Sequence, residues 1–400
     1  MLKHWKVLKN QIRFVIHTTK KIHLRAAVFV ALLFSLNLAS TTQRGEFESR
    51  YLWVVRNTLT TEKSIDQMIQ FATFNRFNHI LVQVRGRGDA YYNSNVVSKS
   101  NLIKDTSFDP LAYLISKAKA NGINVHAWVN TYLLWSSRVK PVQKDHIIFT
   151  NPNWLDQNSS KPLNVSSEMK KFNGGKNGNE GFYLSPNHPK VNSYLLSVFK
   201  DLIENYNLDG LHLDYVRFHN SGYGQNPSAV AYYQKLNGLK AFSTTGLDES
   251  HMIEWSNHRR KSVTDLVRET KSLLQTVRPK MVLSAAVKPN LYQARERYYQ
   301  EWDVWLAAGY LDKAVVMNYA KDLKDFAENI DIMYDNLPSK YRKKIVMGIA
   351  TYNQSSRHVV DKIKYTRVTR FQGVSFFSYN VMVQKPQYFR PIKKILYPSG

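Results

Sequence analysis

The stretch Asp209-Gly210-Leu211-His212-Leu213-Asp214-Tyr215-Val216-Arg217 sets an imidazole, carboxylates and a guanidinium inside an otherwise apolar run. Side chains alternate along a strand, so Leu211, Leu213 and Tyr215 share one face while Gly210, His212 and Asp214 share the other. The apolar face suits packing against helices, which turns His212 and Asp214 inward and leaves Asp214 nearest the strand end. A carboxyl there can protonate a leaving oxygen, attack an electrophilic carbon or activate water. Arg217 or Arg85 close by would favour its ionised form.

The same alternation recurs along the chain. HILVQVR (79–85) groups Gln83 with Arg85, NVHAWVN (124–130) groups His126, Trp128 and Asn130, MVLSAAVKP (281–289) groups Ser284, Ala286 and Lys288, and KAVVMNYA (313–320) offers Asn318. Burying polar groups costs free energy unless they are paired or face water. Their convergence near strand ends points to a ligand site, and a satisfied polar network plugging the interior is the alternative. Asp89 is the leading second carboxylate, with Glu296, Glu301, Asp303 and Asp322 behind it. Asp89 can equally cap its own loop by accepting backbone N–H groups. His212 can orient Asp214, bond a sugar hydroxyl or pair with a neighbouring strand. Trp128, Trp135, Tyr132, Tyr91 and Tyr92 could present faces to sugar rings.

Eight apolar runs must position these groups: 51–56, 79–85, 124–130, 208–216, 281–289, 313–320, 344–352 and 373–380. Helical stretches lie between them, over 61–75, 110–120, 189–206 and 257–277. This alternation predicts an α/β fold, a (β/α)₈ TIM barrel. An open doubly wound sheet would usually carry a Gly-rich turn after its first strand, where this chain has Arg56-Asn57-Thr58-Leu59. Two long connections, 131–188 and 217–256, leave the strand ends where barrel enzymes place their active sites. Within the first, KKFNGGKNGNEG (170–181) reads as mobile on composition.

The first 25 residues hold Lys3, Lys6, Lys9, Arg13, Lys20, Lys21 and Arg25 and no acid. The apolar run AAVFVALLFSLNL (26–38) and small polar residues follow, the order of a secretory signal. Residues 1–41 are thus expected to be a signal peptide or membrane anchor, and 46–397 the barrel. The protein is expected to be exported, to the periplasm, cell envelope or exterior, with an uncleaved anchor as its one membrane contact. Cysteine is absent, which excludes disulfides, thiolate–zinc sites and a thiol nucleophile. The net charge of +26 favours anionic partners. The basic residues are dispersed along the sequence, without the stripe of cations and aromatics that nucleic-acid binding needs. No metal-ligand spacing, phosphate loop or dinucleotide fingerprint occurs, so neither metal nor cofactor is expected.

The blocks GEFESRYLWV, LVQVRGRGDAYYNS (81–94), FDPLAYLISKAKANGINVHAWVNTY (108–132), YLSPNHPKVNSYLLSVFKDLIENYNLDGLHLDYVRF (183–218) and VVMNYA (315–320) together resemble the glycosyl-hydrolase-like 10 family. The resemblance runs in order from about residue 46 to 380. It implies a (β/α)₈ fold, export and hydrolysis of glycosidic bonds, peptidoglycan strands among the substrates. It marks Arg85, Asp89, Asn130, His212, Asp214 and Arg217 as site positions. The first strand departs from the family pattern, reading YLWVVRNTLTT with no Gly beside Arg50. The expected function is therefore a cell-envelope glycosidase, with Asp214 and Asp89 as catalytic carboxyls. Arg85, His126, Trp128, Asn130, His212, Arg217, Lys288 and Asn318 are expected to bind substrate. A non-catalytic glycan-binding barrel is the alternative.

Overall fold

The computed structural model describes residues 46–158, 163–174 and 178–397. The segment read as a signal peptide or anchor, 1–41, lies outside the described residues. Residues Phe47–Ile395 form one compact unit.

Eight parallel strands close into a barrel: β1 (Ser49–Val54), β2 (His79–Arg85), β3 (Asn124–Asn130), β6 (Gly210–Asp214), β7 (Val282–Val287), β8 (Lys313–Met317), β9 (Ile345–Ala350) and β10 (Gly373–Phe377), with β10 pairing back onto β1. All eight fall within the expected runs or begin within two residues of them. Their near-continuous burial reflects contact with helices outside and side chains inside. The helices begin where capping chemistry permits. Asp109 accepts from Ala112 N at 3.1 Å with Pro110 in the first turn, and Thr61 accepts from Ser64 N at 3.2 Å.

The connection after β3 carries a small antiparallel pair, β4 (Leu133–Trp135) with β5 (Phe182–Tyr183), and two short helices. The connection after β6 carries the helix Pro227–Leu236 and the first turns of Glu249–Val277. Both rise above the C-terminal ends of the strands and wall the mouth of the barrel.

The interior is layered. The middle layer is apolar: Trp53, Leu81, Trp128, Ala286, Val315 and Val346 pack into one buried cluster. Below it, at the strand starts, Tyr51 stacks on His79 with ring centroids 4.3 Å apart. His79 Nδ1 lies 3.0 Å from His126 Nε2, which pairs those two nitrogens and leaves His126 Nδ1 buried without a partner. Gly210 makes this possible, because a Cβ there would lie 2.0 Å from His126 Nδ1. These rings close the floor, and the polar groups near the strand ends face a different environment.

Candidate active site

A cleft of about 630 Å³ opens at the mouth. Asp214, the last residue of β6, lines it and is 6% exposed. Its Oδ1 accepts from Tyr215 N at 2.8 Å. Burial pushes its carboxyl up to about 6, and the Glu180 charge pushes the same way, against the Tyr215 N–H and the Arg217 guanidinium. Tyr215 takes a left-handed backbone (φ 52°) that turns the chain sharply off the strand and sets its own ring on the cleft wall.

The second carboxyl of the cleft is Glu180, in the connection after β3. Arg217 Nη2 donates to both of its oxygens, at 2.9 and 2.8 Å, and the Tyr183 hydroxyl donates to Oε2. Burial alone would raise this carboxyl. Arg217 and the Tyr183 hydroxyl outweigh burial and hold it below the usual range. Arg217 is itself buried, stacked among Tyr298, Tyr215 and Tyr183. The two carboxyls are thus displaced in opposite directions, one towards the protonated acid and one towards the anion.

Lys288 extends from the end of β7 into the cleft, 4.5 Å from the Tyr298 ring centroid. Burial, then Arg217, lowers its ammonium to about 8. Asn130 is fully engaged: its Oδ1 accepts from Gln83 Nε2 (3.2 Å) and Trp128 Nε1 (3.1 Å), and its Nδ2 donates to Gly86 O (2.8 Å). Arg56 Nη1 in turn donates to Gln83 Oε1 at 2.8 Å. The Arg56 side chain crosses Gly86 so closely that a Cβ there would lie 2.6 Å from Arg56 Cδ. Trp53, Trp128, Tyr319, Tyr352 and Phe377 supply aromatic walls, the surface that sugar rings stack against.

Of the ten residues expected in the site, Asp214, Trp128, Asn130, Arg217 and Lys288 line this cleft. The other five are placed elsewhere. Asp89 accepts from Arg87 N at 3.1 Å and caps its own turn. Arg85 follows a register shift in β2 that breaks the alternation after Gln83. Its buried guanidinium donates to the Asn130 and Thr131 carbonyls. His126 belongs to the floor. His212 Nδ1 lies 2.8 Å from Ser284 Oγ beneath Trp53, one layer below the cleft. Asn318 points outward, because Val315 and Met317 take the inward positions of β8. Its Nδ2 donates to Phe326 O (2.9 Å), and its Oδ1 accepts from Asn329 (3.0 Å), pinning the next helix.

Alternative partners for Asp214 are also occupied away from the cleft. Asp322 caps the helix Leu323–Asn336, Glu301 accepts from Thr264, Glu296 faces Arg260, and Asp303 faces Arg295. Glu180 escaped notice because it stands alone in an Asn/Gly/Lys stretch with no periodicity to assign it a face. The inward position of Tyr319 was readable from the β8 alternation, which also excludes Asn318.

A family model described as "Glycosyl hydrolase-like 10" matches residues 48–365. The chain belongs to this family. It is 23% identical over 209 residues to the glycosyl hydrolase YngK of Bacillus subtilis, covering 50% of this chain and 35% of that one. It is 22% identical over 305 residues to the glycosyl hydrolase DigH of Escherichia coli K12, covering 75% of this chain and 62% of the relative. The chain thus spans less than two thirds of either relative. Among solved structures, the glycoside hydrolase domain of PgaB (BpsB) from Bordetella bronchiseptica superposes with a TM-score of 0.66 at 13% identity, covering 88% of this chain and 99% of that one. The catalytic domain of a Paenibacillus polymyxa β-amylase superposes at 0.57 with 10% identity, covering 88% and 98%. At such identities the likeness is one of fold. What is shared is thus the family and the barrel fold.

Proposed function

We propose that this protein hydrolyses O-glycosidic bonds in cell-envelope polysaccharide, peptidoglycan glycan strands in particular, after export. The observation that carries the reading is a pair of carboxyls lining one aromatic-walled cleft, with their proton affinities pushed apart. That is the pattern of an acid and its ionised partner. Asp214, its proton affinity raised by burial, donates a proton to the glycosidic oxygen as the C1–O bond breaks. Glu180, held ionised, either bonds C1 or takes a proton from the water that does. Tyr352 stacks against the rings above the buried Trp53 and Trp128, and Lys288 and Arg56 bond sugar oxygens.

A second reading is a glycan-binding barrel without catalysis. It is favoured by one feature, that both oxygens of Glu180 are already bonded to Arg217. The two readings part on one experiment. Purified glycan strands, intact and stripped of stem peptides, are incubated with the wild-type chain, Asp214→Asn and Glu180→Gln. Fragment release by the wild type, with loss of about 10³-fold in either variant, is expected of the hydrolase. Equal binding by all three without release would establish the binding barrel.

A further inference from the structure

The basic residues that look dispersed in sequence converge in the fold. In a parallel barrel, every loop entering a strand lies on the floor, opposite the cleft. The loops entering β7, β9 and β10 carry Arg278 and Lys280, then Lys340, Arg342, Lys343 and Lys344, then Arg370. With β8 between them, these strands are consecutive neighbours in the barrel, so the loops form one arc of the rim. These loops hold seven cations and one carboxylate, Asp312, which is already bonded to Lys271 Nζ at 2.7 Å; beside them, Glu48 at the foot of β1 faces Lys313. Lys280, Lys340, Lys343 and Arg370 are exposed.

Two of the most exposed apolar side chains also lie on this face. Phe74 (74% exposed) ends the helix that descends to β2, and Val368 (78%) ends the one that descends to β10. Lys393 Nζ sits 3.5 Å from the Phe74 ring centroid, so a cation and an aromatic ring are presented together. Cations around projecting apolar side chains match a surface with anionic headgroups over hydrocarbon.

Chain connectivity selects among anionic surfaces. β1 starts at Ser49, so the polypeptide enters the barrel through the floor. Eight residues, 39–46, separate the apolar run 26–38 from Phe47, and eight residues span at most about 28 Å. A chain that keeps this run in a bilayer would have its barrel tethered by the basic face.

We infer that the floor of the barrel, centred on Lys280, Lys340, Lys343, Phe74 and Val368, is a docking face for anionic phospholipid, which turns the cleft away from the membrane. This rests on the anchor being retained and does not depend on catalysis. The natural chain has no cysteine, so single cysteines report cleanly. The full-length chain carrying Ser339→Cys on the floor, or Lys324→Cys at the mouth, is reconstituted into vesicles. One set is phosphatidylcholine alone and the other contains equal parts phosphatidylglycerol, and maleimide labelling is timed in each. Slower labelling of the floor site in the anionic vesicles, with no change at the mouth, is expected. Adding Lys280→Glu, Lys340→Glu and Lys343→Glu should weaken that protection on the order of a hundredfold. A thermal melt of the triple variant followed by circular dichroism verifies that it is folded. Equal labelling in both lipids would overturn the inference, as would protection that survives the triple variant. Protection by soluble anionic wall polymer but not by vesicles would overturn it too and reassign the face to polymer.

Discussion

The mouth and the floor of this barrel are built from the same ingredients and behave differently. Both carry inward polar side chains on consecutive strands. At the floor, His79 and His126 on neighbouring strands bond ring to ring, and Tyr51 packs against both. At the mouth, the long connections after β3 and β6 hold Glu180, Tyr215 and Arg217 around a cleft into which Asp214 and Lys288 project. Convergent polar groups therefore make a plug where neighbours at the same level satisfy them, and a site where loops keep the space above them open.

The two ends also titrate in opposite senses. Burial lowers His79 to about 4 and His212 to about 3, and lowers His126 as well. The barrel interior below the cleft therefore loses stability as pH falls from the ordinary histidine value near 6.5 towards 4, where the unfolded chain takes up protons that the folded chain refuses. Asp214, raised to about 6, and Asp156, raised to about 7, bind protons more readily in the folded state. Their contribution is present at acid pH and is lost as pH rises through 6 to 7.

The largest expected effect is catalytic. Asp214→Asn should lower glycan release about 10³-fold while leaving the melting temperature at pH 7 unchanged or higher, since it removes a buried ionisable carboxyl; a fall of many degrees would make Asp214 structural. His126→Ala should do the reverse. It strips His79 of its partner and opens a cavity, and a loss of about 2–4 kcal/mol in denaturant unfolding at pH 7 is expected, with glycan binding intact. The same variant should melt less steeply with acid between pH 6.5 and 4.

Next comes the pH profile. If Asp214 must be protonated, kcat/KM should fall as pH rises through about 6. A limb that stays put in Glu180→Gln but disappears in Asp214→Asn, on the residual rate, would assign it. Binding should weaken further above about 8 as Lys288 loses its charge, and Lys288→Met should remove that second limb. The smallest effect is expected at Asp156, beside the mouth. Its Oδ1 accepts from Gln157 N, Gly224 N and Ser185 Oγ, while Oδ2 has no partner. Asp156→Asn preserves those bonds and should raise the melting temperature by a few degrees at pH 8 and by less at pH 4, as differential scanning calorimetry would show.

Much of this architecture was legible in the sequence. Eight β-branched and aromatic runs alternating with capped helical stretches determine a barrel, because period-two and period-3.6 patterns bury different faces. The alternation in LDGLHLDYV was enough to place Asp214 at the mouth and His212 inside. The sequence could not say at which depth an inward residue would lie, which is why His126 and His212 belong to lower layers. Depth depends on strand stagger and on who stands opposite, as with Gly210 admitting the His126 ring. Nor could it anticipate the register shift that removes Arg85, or Glu180, drawn to Arg217 across 37 residues by a charge pairing that leaves no periodic trace. Strand and helix patterns are local and are written in neighbouring residues. Carboxyl pairs, basic faces and cleft walls join residues far apart in the chain, and only the closed barrel brings them together.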